Sequence, residues 1–197
     1  MKYVDVHCHL DFEQFDEDRQ ELLDNMREQG VIAYAQSMNP DSYAHIKSLF
    51  AEHGDVVRVC AGLYPQEAET ITDEAMEAYK EQIRKDADHI IALGEVGLDK
   101  HHTTDEEAFN VQLRRFREMI ELGIELDKPL IIHSRKAEPE ALEIISEYVE
   151  QTGFRRFDLH CFSGRKKHIK TIKALGIYCS IPLVVQNTES FQILVQE

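Results

Sequence analysis

The sequence predicts an α/β protein of the (β/α) TIM-type barrel class, and three observations carry that prediction. Short apolar runs of strand length alternate with amphipathic segments of helical period along the whole chain, the signature of parallel βα units. Runs such as Ile90-Ile91-Ala92-Leu93 are continuously apolar, as expected of strands covered on both faces. Finally, His7 and His9, Glu95, His133 and His160 stand at the ends of the first, fourth, fifth and sixth runs. An open sheet gathers its ligands at one switch point, whereas a ring brings many strand ends over one mouth. The scatter of these five residues selects the ring.

Taken in order, residues 3–10 form the first strand. Residues 16–29 place Leu22, Leu23 and Met26 among charges and stop at Gly30, which reads as an amphipathic helix with a glycine terminator. Strands at 31–36 and 56–63 flank a helix at 41–52. Thr72 or Asp73 caps a helix at 72–85, and the fourth strand occupies 89–95. The longest helix, 105–122, carries Phe109, Leu113, Phe116 and Ile120 at three- and four-residue spacing and ends at Gly123. After a strand at 129–133, Pro139 suits the first turn of a helix to 151. A strand at 157–161, a basic helix at 165–175, a strand at 176–181 and a helix at 188–196 complete seven readable βα units. An eighth strand and helix are absent from this chain, which leaves two strand edges to be covered and leads us to expect self-association or poor stability.

At 197 residues and 43% hydrophobic, residues 1–197 suit a single domain with a substantial core. The net charge of -15 argues against a protein that coats polyanions or membrane surfaces. The imbalance is uneven, since residues 1–94 hold 8 Lys+Arg against 20 Asp+Glu, so an anion-binding surface belongs in the second half. The start of the chain enters a strand directly, without the basic and apolar regions of a secretory leader, and no apolar run approaches the roughly 20 residues that span a bilayer. A cytoplasmic location is expected. Cys8, Cys60, Cys161 and Cys179 each lie in or beside an apolar run without close pairing and read as buried thiols of a reducing compartment.

His7 and His9, two apart on a strand, point to one side. Neutral imidazole is the commonest transition-metal ligand, and four imidazoles with one carboxylate suit zinc and its first-row neighbours better than an all-oxygen ion. In this reading Glu95 bridges two ions, one on His7 and His9 and the other on His133 and His160, an arrangement suited to hydrolysis. Strand parity puts Leu93 with Glu95, Ile131 with His133, and Asp158 with His160. It also turns Asp5 and Asp158 inward, either as partners of ligand imidazoles or as ion-pair partners of a deeper cation.

Val4-Asp5-Val6-His7-Cys8-His9-Leu10-Asp11, Gly94-Glu95-Val96-Gly97-Leu98-Asp99, Ile132-His133-Ser134-Arg135 and His160-Cys161-Phe162-Ser163-Gly164 together resemble the signature blocks of the TatD family of metal-dependent deoxyribonucleases. The blocks fall in family order, and the resemblance covers the whole chain. It implies an amidohydrolase-type barrel, two divalent ions (Zn, Mn, Mg or Ni) and hydrolysis of DNA phosphodiesters by activated water, often as a 3′-to-5′ exonuclease. Carried over by position, it makes His7 and His9 ligands of the first ion, Glu95 the bridge and catalytic carboxylate, and His133 and His160 ligands of the second. The chain departs from the family pattern in three places. Gly62-Leu63-Tyr64-Pro65 stands where Gly-x-His-Pro is usual, Lys100 and Lys136 replace an aromatic residue and an aspartate, and the final Glu-Thr-Asp block has no counterpart.

On the substrate side, Tyr64 is a candidate donor to a phosphate oxygen, and Arg135 offers a fork of donors suited to phosphate. Ser163 and Gly164 lead into a helix N-terminus that favours anions, within a stretch from Arg155 to Lys173 holding seven basic residues and one acid. Phe12 and Phe15 either stack a nucleobase or pack on the rim. His101 and His102 either line the mouth or belong to a loop; His45, His53, His89 and His168 read as ordinary surface or helix residues. Two alternatives stay open: an amidohydrolase acting on a small amide, ester or lactone, and a shortened metal-binding paralogue without activity.

Overall fold

A computed structural model describes residues 2–196, apart from the side chains at 190, 193 and 194. Among the described residues there are seven strands: β1 (Tyr3–Cys8), β2 (Val31–Gln36), β3 (Val57–Leu63), β4 (Ile90–Gly97), β5 (Leu130–His133), β6 (Phe157–Leu159) and β7 (Tyr178–Cys179). All pair in parallel, in chain order. The helices are α1 (Arg19–Gln29), α2 (Pro40–Leu49), α3 (Pro65–Thr70), α4 (Asp73–Lys85), α5 (Glu106–Glu125), α6 (Glu138–Thr152), α7 (Lys166–Leu175) and α8 (Glu189–Gln196).

Neighbouring strands lie about 4.8 Å apart, so in a flat sheet β1 and β6 would stand about 24 Å from each other. The rings of His7 on β1 and His160 just after β6 are instead stacked, with centroids 3.9 Å apart. The sheet is therefore curled into the expected barrel, left open between β1 and β7. Those two strands form its edges among the described residues, with Tyr3 and Tyr178 largely exposed along them.

The curl is held by a two-sided core. Leu93, Val96, Leu130, Ile132 and Phe157 face outward and pack with Phe116, Met119 and Ile120 of α5 and Ile144 and Ile145 of α6, while Cys60, Ala92 and Ile131 cluster on the inner side. Helix ends are tied by side chains. Asn39 accepts from Ser42 N–H at 2.8 Å and Asp105 from Ala108 N–H at 2.8 Å, each cap stabilising its helix by about 1 kcal/mol.

Several boundaries differ from the sequence reading. β1 stops at Cys8, β6 at Leu159 and β7 spans two residues, so His9, His160 and Cys161 lie just beyond strand ends. Cys161 is accordingly exposed, at φ 46°, rather than a buried strand thiol. α3 is an unpredicted helix whose six residues are too few to show a period. Gly123 lies inside α5, packed on Leu130, and does not end it. Parity also fails on β4: the register shifts between Leu93 and Val96, so Leu93 faces the outer core while Glu95 turns to the mouth.

Candidate metal centre

Glu95 sits at the centre of the mouth, 3% exposed, with four imidazoles around one carboxylate. Its Oε1 lies 2.6 Å from His133 Nδ1 and 2.7 Å from His160 Nε2. Its Oε2 lies 3.5 Å from His7 Nε2 and 3.4 Å from His9 Nε2. The sequence-predicted quintet is thus brought together, from strand ends up to 153 residues apart in the chain. The close approach of β2, β3 and β4 makes this possible: Ser37 carbonyl accepts from Glu95 N–H at 3.2 Å, and a Cβ on Gly62 would collide with both of those backbone atoms.

Burial favours the neutral form of His7 and moves its pKa down to about 3, with the nearby His160 adding to the effect. The His7–Glu95 contact is therefore not an ion pair, and the ring is in the state a metal ligand requires. Burial would raise the Glu95 carboxyl, but hydrogen bonds from His133, His160 and His9 hold it well below its usual range. The Nδ1 atoms of His7 and His9 are buried without a hydrogen-bond partner.

Two sets of donor atoms, His7 with His9 and Glu95, and Glu95 with His133 and His160, each lie within 4.8 Å of one another. Each set offers three protein ligands, the number that leaves a position open in catalytic zinc sites. Nitrogen with one carboxylate fits zinc, manganese or nickel more naturally than calcium. The residues present fit a divalent metal ion, and Glu95 belongs to both sets.

Sequence reasoning missed Asp99. Fully buried two residues beyond β4, it places Oδ2 3.0 Å from His133 Nε2 and 2.9 Å from His102 Nδ1. Its Oδ1 accepts the backbone N–H groups of His101 and His102 at 2.6 and 2.8 Å. Burial works against its charge, yet these donors, His102 foremost, bring its pKa to about 2. Its position closing the Gly94–Asp99 block was the available signal. Asp5 and Asp158 are not the partners of imidazoles that parity offered. Asp5 is exposed and accepts the backbone N–H of His7, while burial pushes the Asp158 pKa up and Ser180 is its hydrogen-bond partner.

The substrate-side residues separate. The Tyr64 ring meets His133 edge-on at 5.0 Å, and burial raises its hydroxyl to about 12, so it stays a donor across neutral pH. His133, Arg135, Glu138, His160, Ser163 and Phe191 line a cavity of about 310 Å³ beside the second half of the quintet. Ser163 donates to Glu138 Oε1 at 3.4 Å, and Gly164 is wedged between Phe162 and His168. His168, read as an ordinary surface or helix residue, lies on α7, is buried and accepts the Arg165 N–H at 3.3 Å, occupying part of the helix N-terminus assigned to an anion.

The basic stretch is likewise divided. Arg155 donates to the Leu175 carbonyl and Arg156 to the Asp127 carbonyl, both before β6 and so at the barrel base. Phe12 is half-exposed and stacks on His9 at 4.8 Å, whereas Phe15 packs with the apolar residues around Leu10 and Leu23. No described helix is long and apolar enough to cross a membrane.

Comparison with known proteins identifies relatives of the chain and of its fold. The chain is 29% identical to "Putative deoxyribonuclease TATDN3" of Mus musculus, over 98% of this chain and 68% of that protein. It is 31% identical to "Uncharacterized metal-dependent hydrolase YcfH" of Escherichia coli, over 94% and 68%. The crystal structure of YJJV, a TatD homologue from Escherichia coli, superposes with a TM-score of 0.77 at 25% identity, covering 90% of this chain and 66% of that one. A TatD family hydrolase from Entamoeba histolytica shares the fold, with a TM-score of 0.82 at 17% identity over 99% and 69%. The chain thus spans about two thirds of the length of these relatives. A family model described as TatD related DNase matches residues 4–197 and takes in all five residues of the quintet, and to that family this chain belongs.

Proposed function

We propose that the chain hydrolyses phosphodiester bonds of DNA with two divalent ions, His7 and His9 holding one, His133 and His160 the other, and Glu95 shared. One observation carries the reading: the two oxygens of a single buried carboxylate are divided between two pairs of imidazoles. Bound there, the ions supply Lewis-acid polarisation and a water of lowered pKa. The chain's own residues supply orientation. Arg135, exposed at the rim of the 310 Å³ cavity, offers paired donors to the non-bridging oxygens of a phosphodiester. Tyr64, edge-on to His133, offers its hydroxyl as a further donor, and Ser163 lines the same cavity as Arg135. The net charge of -15 disfavours tight general binding of duplex.

The test is to incubate the purified chain with Mg²⁺, Mn²⁺, Zn²⁺ or Ni²⁺ and either end-labelled single-stranded DNA or an aryl ester. Stepwise loss of nucleotides that disappears in Glu95→Gln is the expected result. Turnover of the ester alone would assign the site to a small amide, ester or lactone. Ion uptake without turnover of either would make this a binding protein.

A further inference from the structure

We propose that Asp99 is a positioning residue that fixes the tautomer of His133 and thereby decides which ring nitrogen faces the second ion; this rests on the two-ion reading above. An ionised carboxylate only accepts hydrogen bonds. All four donors around Asp99 converge on its two oxygens: the His101 and His102 N–H groups on Oδ1, and His102 Nδ1 and His133 Nε2 on Oδ2. A neutral His133 facing that oxygen must carry its proton on Nε2. With an ion bound, its lone pair lies on Nδ1, the atom 2.6 Å from Glu95 Oε1 and 3.3 Å from His160 Nε2; without one, that nitrogen carries the proton that Glu95 accepts. Nothing equivalent holds His7 or His9, whose Nδ1 atoms have no partner.

Asp99 is itself held from behind. Gln112, fully buried on α5, accepts the Asp99 N–H through Oε1 at 2.9 Å. The same amide donates through Nε2 to Glu69 on α3 at 2.6 Å and to Thr103 at 2.9 Å. Its orientation is therefore fixed by partners at both ends, and two helices anchor the loop that presents the carboxylate. An outer partner of this kind fixes ring orientation, and its loss typically costs 10–100-fold in metal affinity.

Two substitutions separate positioning from packing. Asp99→Asn keeps the volume, but its single carbonyl oxygen is best used on the two backbone N–H groups. The amide NH₂ then faces His133 and forces the opposite tautomer, with hydrogen on Nδ1. Asp99→Ala leaves the ring free to choose. The tautomer role therefore ranks asparagine at least as damaging as alanine, whereas a packing role ranks it nearly wild-type.

The experiment titrates Co²⁺ alone into the full chain, following visible absorption and bound metal after dialysis, with His133→Ala as reference. We expect two ions in the wild type. In Asp99→Asn one ion binds normally, the other 10–100-fold more weakly, with the absorption of the second site altered. Wild-type affinity and an unchanged spectrum in Asp99→Asn would overturn the assignment while leaving the two-ion reading intact. No Co²⁺ uptake by the wild type would overturn both. If Asp99→Ala loses its far-ultraviolet dichroism, the comparison of Asp99→Asn with the wild type decides.

Discussion

The two halves of the mouth are built to different standards. On one side His133 and His160 approach Glu95 Oε1 at 2.6 and 2.7 Å, from β5 and the end of β6, each paired on both sides, with Asp99 behind His133. On the other, His7 and His9 stand 3.5 and 3.4 Å from Oε2, on and beyond an edge strand whose register with β2 shifts between Asp5 and Cys8. The difference teaches that ligand order follows sheet position. Interior strands deliver preorganised side chains, and an edge strand delivers the same residue types with more freedom. The His133 half should therefore fill first.

The largest effect belongs to the residue common to both halves. Glu95→Gln should abolish uptake of both ions and lower any hydrolysis by at least about 100-fold, as expected when a metal ligand is lost; retention of one tightly bound ion would deny the sharing. Next comes the asymmetry itself. His7→Ala should lose the weaker ion and keep the tighter one, whereas His133→Ala should lose the tighter, as read by calorimetric titration with Mn²⁺ or Zn²⁺. Equal losses would break the comparison. A smaller change is expected from Tyr64→Phe, which leaves the ring on His133 and removes one neutral hydrogen bond worth about 0.5–1.5 kcal/mol. Ion affinities should hold while hydrolysis falls by up to about tenfold.

Much of the preorganised half could be read in advance. His133 and His160 close apolar runs, parity on β5 is kept, and the barrel followed from the scatter of ligand types along the chain. Asp99 could not be found in the same way. It lies in a loop where no period applies, and the residue that holds it, Gln112, is a polar side chain inside an otherwise amphipathic helix, indistinguishable in sequence from a solvent-facing glutamine. The orientation of Glu95 was reached by a faulty step, because one shifted register on β4 reverses which residues share a face. His168 lies on a helix, one of the two places read for it, but its burial was not legible: at the first turn of α7 it closes back on Arg165 and Phe162, a contact set by the loop and not by the helix pattern.

The smallest effect at the mouth should come from the opposite end of the barrel, where Asp86 follows α4. It accepts from Tyr43 Oη at 2.8 Å, Lys47 Nζ at 2.7 Å and Gln82 Nε2 at 2.7 Å, and it is buried. Burial alone would raise its pKa, but Lys47, Gln82 and Tyr43 keep it below the usual 3.8. A depressed folded-state value means that the charged form adds stability above the unfolded pKa and that this is lost as pH falls through the folded one. Asp86→Asn should therefore cost about 1–3 kcal/mol in urea unfolding at pH 7, with the gap from wild type persisting to pH 5 and closing below about pH 4. Ion affinity in both halves should be unchanged, since no hydrogen bond of Asp86 leads to the mouth. A loss confined to the His7 half would instead mean that base packing sets the position of the edge strand, and the freedom assigned to β1 would then belong to the whole first half of the barrel.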